Sequence, residues 1–128
     1  MVIAIDTNIL ARIFIDDGMA SAQVQKARQL SSKADKIYIA QAVQLELVWV
    51  LSSAYRLKKP QIIAILKQLE SHSVFMLQRA EMFAKALAYY QQGKADFSDY
   101  LILLEAEQAG AEVYTFDKQF IAAGAKSC

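Results

Sequence analysis

Four carboxylates in this chain stand alone among apolar neighbours. Asp6 ends the run Met1-Val-Ile-Ala-Ile5 and is the only charge before Arg12. Glu46 is the only charge between Lys36 and Arg56, inside Val43-Gln-Leu-Glu-Leu-Val-Trp-Val-Leu51. Asp99 interrupts Phe97-Ser-Asp-Tyr-Leu-Ile-Leu-Leu104, and Asp117 closes Val113-Tyr-Thr-Phe-Asp117. Asp and Glu are almost never fully buried unless paired or bound to a metal. One isolated acid could be a helix cap or a core hydrogen bonder. Four in the same setting point to one shared site that binds a cation.

The elements that must position these acids follow from periodicity. Val2–Ile5, Ile37–Ile39, Val74–Leu77 and Glu112–Thr115 are short apolar, β-branched or aromatic runs and read as strands. Helical periodicity covers Ile9–Phe14, Ala20–Ser32, Val43–Tyr55, Pro60–Ser71, Arg79–Gln92, Ser98–Ala109 and Lys118–Ala123. Pro60 suits a first helical position, and Gly93 and Gly110 fall where a C-cap is expected. Strands alternating with helices predict an α/β fold whose parallel sheet is covered on both faces, with right-handed crossovers. Ligands of such sheets bind beyond the carboxyl ends of the strands. Asp6 and Asp117 lie just past strands. Asp99 lies in a first helical turn, where the helix dipole favours a carboxylate. Glu46 lies early in the helix after the second strand. All four are expected to reach the same end of the sheet.

Bulk properties set the frame. With 128 residues, 55% of them hydrophobic, the chain is long enough for one domain, residues 1–128, with its own core. Net charge is +1, so no global field draws it to a polyanion, and any such binding must come from a local patch. The single cysteine, Cys128, suits a reducing compartment. The first apolar run has no basic segment before it and ends in Asp6, unlike a secretion signal. No apolar stretch approaches the roughly 20 residues that span a bilayer. A cytoplasmic location without membrane contact is expected.

Each motif also has a plain structural reading. Asp6, Thr7 or Asn8 could cap the next helix, and Asp117 could be a turn residue. Asp96 and Asp99 share one side of a helix start, with Asp96 the better candidate for the cap. Glu46 resists such a reading, because its helix is apolar nearly all round and offers no basic partner within reach.

The stretches Ile5-Asp-Thr-Asn-Ile9, Gln44-Leu-Glu-Leu47, Ala95-Asp-Phe-Ser-Asp-Tyr-Leu-Ile102 and Tyr114-Thr-Phe-Asp117 together resemble the PIN-domain ribonucleases, in particular the VapC-type toxins of toxin–antitoxin pairs. They span nearly the whole chain. The resemblance implies a PIN-like three-layer α/β/α fold with a short central parallel sheet of four to five strands. It places Asp6, Glu46, Asp99 and Asp117 in the family's acidic metal-binding quartet, with Asp96 accessory and Thr7, Asn8 and Thr115 supporting. It further implies a structured RNA as substrate, a homodimer and a cognate antitoxin protein that blocks the site. Leu103-Leu104-Glu105 departs from the small residues more usual there, which bears on helix packing rather than chemistry.

The residue chemistry agrees. Mg²⁺ and Mn²⁺ choose carboxylate oxygens and keep several waters. One His and one Cys leave little room for a zinc site or a Cys–His nucleophile, and there is no glycine-rich phosphate loop. A carboxylate cage on such a cation suits phosphodiester hydrolysis. Asp6 and Asp99 are assigned as direct ligands; Glu46 and Asp117 would ligate directly, act through water, or position the attacking water. Arg12 and Arg56 are expected to grip RNA phosphates, with Lys58 and Lys59 nearby. His72 is expected in an exposed turn, Trp49 in the core, and Tyr89 and Tyr90 half-buried.

One enzyme class and one signalling domain are the first rivals. A haloacid-dehalogenase-type phosphatase needs a second Asp two positions after Asp6, where this chain has Asn8. A phosphoacceptor receiver needs an Asp ending the middle strand, where Val74–Leu77 is followed by Gln78. A PIN-fold binding module with an inactive site is the third alternative, and the presence of all four acids argues against it.

Overall fold

Three parallel strands form the sheet that carries the first of these acids. The computed structural model describes all residues, Met1–Cys128, and its contacts divide into two compact units, Met1–Gln78 and Arg79–Cys128. The first unit runs β1 (Val2–Ala4), α1 (Thr7–Phe14), α2 (Ser21–Lys33), β2 (Lys36–Ile39), α3 (Gln41–Ser53), α4 (Lys59–Ser71), β3 (Phe75–Leu77). Its strands pair in the order β1-β2-β3, with Ile3 opposite Ile37 and Ile37 opposite Phe75. Parallel neighbours need long crossovers, and here each crossover is a helix pair. Ile37 and Ile39 on the central strand are buried, as are Leu10 and Ala11 of α1, Leu47 and Leu51 of α3, and Ile62, Leu66 and Leu69 of α4.

The start of α3 is held by side chains distant in sequence. Its N-cap, Ala40, has no side chain to offer. Instead the Gln41 backbone N–H donates to Gln78 Oε1 at 2.8 Å, across 37 positions. Gln44 is fully buried and donates through Nε2 to the carbonyls of Ile39 (3.2 Å) and Gln78 (2.9 Å). The two amide side chains thus bind the ends of β2 and β3 to the first turns of α3, where the Ile39 carbonyl also accepts the Gln78 backbone N–H at 2.9 Å.

The second unit runs α5 (Ala80–Gln92), α6 (Phe97–Gln108), β4 (Tyr114–Thr115), α7 (Lys118–Ala123), β5 (Lys126–Ser127). β4 and β5 pair in parallel as a separate two-stranded ladder. Five strands therefore form, but as ladders of three and two, and the two-residue β5 is too short to leave a periodic signature in sequence. Phe83, Phe97 and Tyr90 pack edge to face, with ring centroids 5.5 and 5.9 Å apart. Burial, reinforced by the charge of Asp96, pushes the Tyr90 hydroxyl pKa up.

Gly93 caps α5 at φ −100°, so it needs no left-handed freedom. Space is the reason for a glycine there: a Cβ would overlap the hydroxyl of Tyr100, itself buried and stacked on Tyr89. Gly93→Ala should displace Tyr100 and destabilise the protein by about 1–3 kcal/mol. Urea melts check this, and the companion change Tyr100→Phe should recover part of the loss.

Three expectations about burial need correction. Trp49, expected in the core, is 68% exposed, and the setting of Glu46 is open to solvent rather than apolar all round. Along α3 the buried positions are Gln41, Gln44, Leu47 and Leu51, so the opposite stripe of Ala42, Glu46, Trp49 and Ser53 faces outward. In a helix this rich in Leu and Val, composition conceals which stripe faces in. Tyr90 is buried and Tyr89 exposed, where both were expected half-buried. His72 is the exposed C-cap of α4, as expected. No helix is long and apolar enough to cross a membrane.

Candidate functional site

Every acid singled out from the sequence, except Glu46, caps or opens a helix. Asp6 is the N-cap of α1, and its Oδ1 accepts the Ile9 backbone N–H at 3.1 Å. Beside it, Thr7 is buried and Asn8 exposed in the first turn. Glu46 projects from the outer stripe of α3, one turn before Trp49. Asp6, Glu46 and Asp117 are solvent-exposed and Asp99 is partly buried. The isolation of Asp6 and Glu46 in sequence therefore reflects surface positions beside buried ones, whereas Asp117 stands between the exposed Phe116 and Lys118.

In the second unit the acids feel one another. Asp96 is the N-cap of α6 and forms a capping box with Asp99, whose Oδ2 accepts the Asp96 backbone N–H at 3.2 Å. Asp117 is the N-cap of α7, and its Oδ1 accepts the backbone N–H groups of Gln119 (2.8 Å) and Phe120 (3.3 Å). Thr115 Oγ1 in turn accepts the Asp117 backbone N–H at 3.0 Å, fixing the turn that presents the carboxylate. The Asp99 carboxyl pKa is raised, first by burial and then by the negative charges of Asp96 and Asp117, against the lowering effect of its hydrogen bond from the Asp96 backbone. A partly desolvated carboxylate in the field of two others is a group that a cation would relieve.

In the first unit, a cleft of about 350 Å³ runs between α1 and α2. Asp6 and Asn8 stand at its α1 side with Ile9 and Arg12; Gln23, Lys26, Ala27 and Leu30 line it from α2. Arg12 stacks over the Tyr55 ring, 5.7 Å from its centroid, and lies 3.6 Å from Asp17 Oδ1. Its Nη1 is buried without a hydrogen-bond partner. Arg56, the other expected phosphate contact, is exposed and holds a left-handed φ of 55° in the turn after α3. Lys26 and Gln23 carry no signal in the sequence that would single them out. Their spacing with Ala27 and Leu30 marks one helical face, but only the packing of α2 on α1 shows that this face meets Asp6 and Arg12.

Residues 3–126 match the family model of the PIN domain. The chain belongs to the PIN domain family. Among curated proteins it is 25% identical over 100 residues to the VapC ribonuclease of Aquifex aeolicus (strain VF5), covering 77% of this chain and 74% of that protein. Among solved structures it is similar to VapC20 of Mycobacterium tuberculosis, described as a sarcin–ricin loop cleaving toxin. That likeness has 16% identity and a TM-score of 0.46, over 100% of this chain and 98% of the other.

The PIN fold implies a divalent cation, and the residues present fit one by chemistry. The candidate donors carried from the sequence are all carboxylate oxygens, with no histidine or cysteine among them, a set that would select a hard cation. Within neither unit are three or more acidic, histidine or cysteine side chains gathered as a ready cage. Mg²⁺ tolerates that, since it is commonly held by one or two carboxylates and keeps its waters.

Proposed function

We propose that this PIN-domain protein is a divalent-metal-dependent endoribonuclease that cuts single-stranded or loop RNA, the toxin of a toxin–antitoxin pair. The observation that carries the reading is the all-oxygen acidic set presented at helix starts, with Asp99 held in the field of Asp96 and Asp117. The ribonuclease assignment of the Aquifex aeolicus relative supports it. The family match across both units supports treating residues 1–128 as one nuclease domain. We assign Asp6, Glu46, Asp99 and Asp117 to the catalytic set, with Asp96 accessory and Thr7, Asn8 and Thr115 supporting.

When bound, Mg²⁺ or Mn²⁺ would orient and activate water and offset charge on the scissile phosphate. The chain's own residues supply the rest. Asp6 and Asp99 would ligate directly, each through an oxygen not already committed to its helix cap. Thr115 holds the backbone of Asp117 so that its carboxylate faces outward. Glu46 presents an exposed carboxylate suited to accepting a proton from the attacking water. Arg12 and Arg56 would offset phosphate charge. An inactive PIN binding module is the alternative, and cleavage of RNA by the purified protein, arrested by EDTA, decides between them. A phosphatase remains the weaker alternative.

The same reading includes a cytoplasmic location, an antitoxin partner and a homodimer. Part of the apolar stretch between Leu45 and Leu66 is consumed by the protein's own core, since Leu47, Leu51, Ile62 and Leu66 are buried. Trp49 is left on the surface, with Leu45, Val48 and Val50 partly exposed beside it. Exposed apolar groups grouped in this way mark interfaces. A dimer is expected by sizing with light scattering, and a monomer at micromolar concentration would remove the claim.

A further inference from the structure

We propose that the α1–α2 cleft is a nucleotide subsite, taking one unstacked nucleotide of the RNA next to the bond that is cut. The inference rests on the nuclease reading and goes beyond it by naming where the substrate lies and what reads it. The volume, about 350 Å³, falls within the roughly 300–1,000 Å³ of small-molecule pockets. Its lining has three chemistries, and a nucleotide needs all three. Ile9 and Leu30 offer apolar surface to a base. Arg12 and Lys26 offer positive charge to a phosphate. Asn8 and Gln23 carry amides, which donate and accept together and so can pair with a base edge.

Geometry supports the assignment. Gln23, Lys26 and Leu30 fall on one face of α2, and Asn8 and Arg12 are one turn apart on α1. The two helices are tied by Arg28, whose Nε donates to the Ile13 carbonyl at 3.2 Å. Arg12 is steadied by Tyr55, and its Nη1, although buried and within 3.6 Å of Asp17 Oδ1, makes no hydrogen bond; a phosphate oxygen would offer the guanidinium a charge-assisted one. Its contact with Asp17, at 3.6 Å, is a loose ion pair between partly exposed groups. In a chain of net charge +1, phosphate grip must come from such a local pair of cations. Asp6 at the same cleft places the subsite beside a proposed metal ligand. Single-stranded segments are where RNA bases are free to be read in this way.

Fluorescence anisotropy of labelled single-stranded oligoribonucleotides in EDTA reads binding without cleavage. Lys26 and Gln23 are exposed, so their substitution leaves the core intact. Lys67→Ala, removing another exposed lysine on α4, is the control. Lys26→Ala should weaken binding several-fold for every sequence and reduce the salt slope by about 0.7. Gln23→Ala should narrow the spread of affinities among oligoadenylate, oligouridylate and oligocytidylate by about fivefold or more. If the wild type cleaves RNA while Lys26→Ala binds as Lys67→Ala does, the cleft is not the subsite and the nuclease reading stands. A wild type with no spread among bases overturns the reading role of Gln23. A wild type that neither binds nor cleaves RNA overturns both readings.

Discussion

Asp6→Asn and Asp99→Asn should each fold and lose at least about 10²-fold in RNA cleavage, the scale expected when an electrostatic element of a reaction site is removed. Both substitutions keep an oxygen where the structure uses one. An Asn at position 6 can still accept the Ile9 N–H at α1, and an Asn at position 99 can still accept the Asp96 N–H at α6. Each therefore removes a charge with little loss of capping. A carboxamide is a poor ligand for Mg²⁺ or Mn²⁺ beside a carboxylate, so activity falls for a reason separable from folding. The measurement is initial cleavage rate on single-stranded RNA with Mg²⁺ or Mn²⁺, alongside a circular dichroism melt of each variant. Preparations of Asp6→Asn that cut as fast as wild type would mean that the activity is contamination or that the site lies elsewhere. Thr115→Ala separates position from charge: it removes the acceptor for the Asp117 N–H and should cost about tenfold, less than either acid.

Much of the frame around these acids was legible because local rules wrote it. The i, i+3 spacing of Asp96 and Asp99 places both at a helix start with Asp96 as the cap, and α6 begins there, with a capping box between them that the spacing alone does not announce. The alternation of short β-branched runs with helical segments announced the α/β order, and every expected element exists within a few residues of its expected bounds. What stayed hidden depended on tertiary packing. The Gln78 cap of α3 comes from 37 positions away. Sequence alone does not tell the outward stripe of α3 from its inward one, and so Trp49 and Glu46 face water where the sequence leads one to expect an apolar setting. The solvent exposure of the acids follows from the same ambiguity. A strand or helix one residue wide of polar character among apolar neighbours looks identical in sequence whether the polar group is trapped inside or is the one position left facing water. Lys26 and Gln23 carried no signal of their own, since charged and amide residues on an exposed helix are ordinary. The contact of α2 with α1 gives them their setting.

Asp99 also ties the site to stability. Its raised carboxyl pKa, caused first by burial and next by the charges of Asp96 and Asp117, means that the folded state holds a proton to higher pH than the unfolded state does. Folded protein therefore binds more protons in the window from the usual aspartate value near 3.8 up to the raised folded value. Stability of the metal-free protein must fall as pH rises through that window, and the deficit persists above it. Mg²⁺ or Mn²⁺ at neutral pH should reverse the deficit by mass action, about 2.7 kcal/mol at a hundred times the dissociation constant, or several degrees in melting temperature. At a pH below the window Asp99 is protonated and the cation should do little. Asp99→Asn removes the repelled charge but keeps the acceptor for the Asp96 N–H. Its metal-free melting temperature at neutral pH should exceed that of wild type, and most of its response to metal should vanish. Thermal melts of both proteins, with EDTA or Mn²⁺, at one pH below the window and one at neutrality, read all of these terms together. A metal-free Asp99→Asn protein that melts below wild type would show that the carboxylate charge at the α6 dipole outweighs its repulsion from Asp96 and Asp117. Asp99 would then be a structural cap and not a ligand held at the expense of stability.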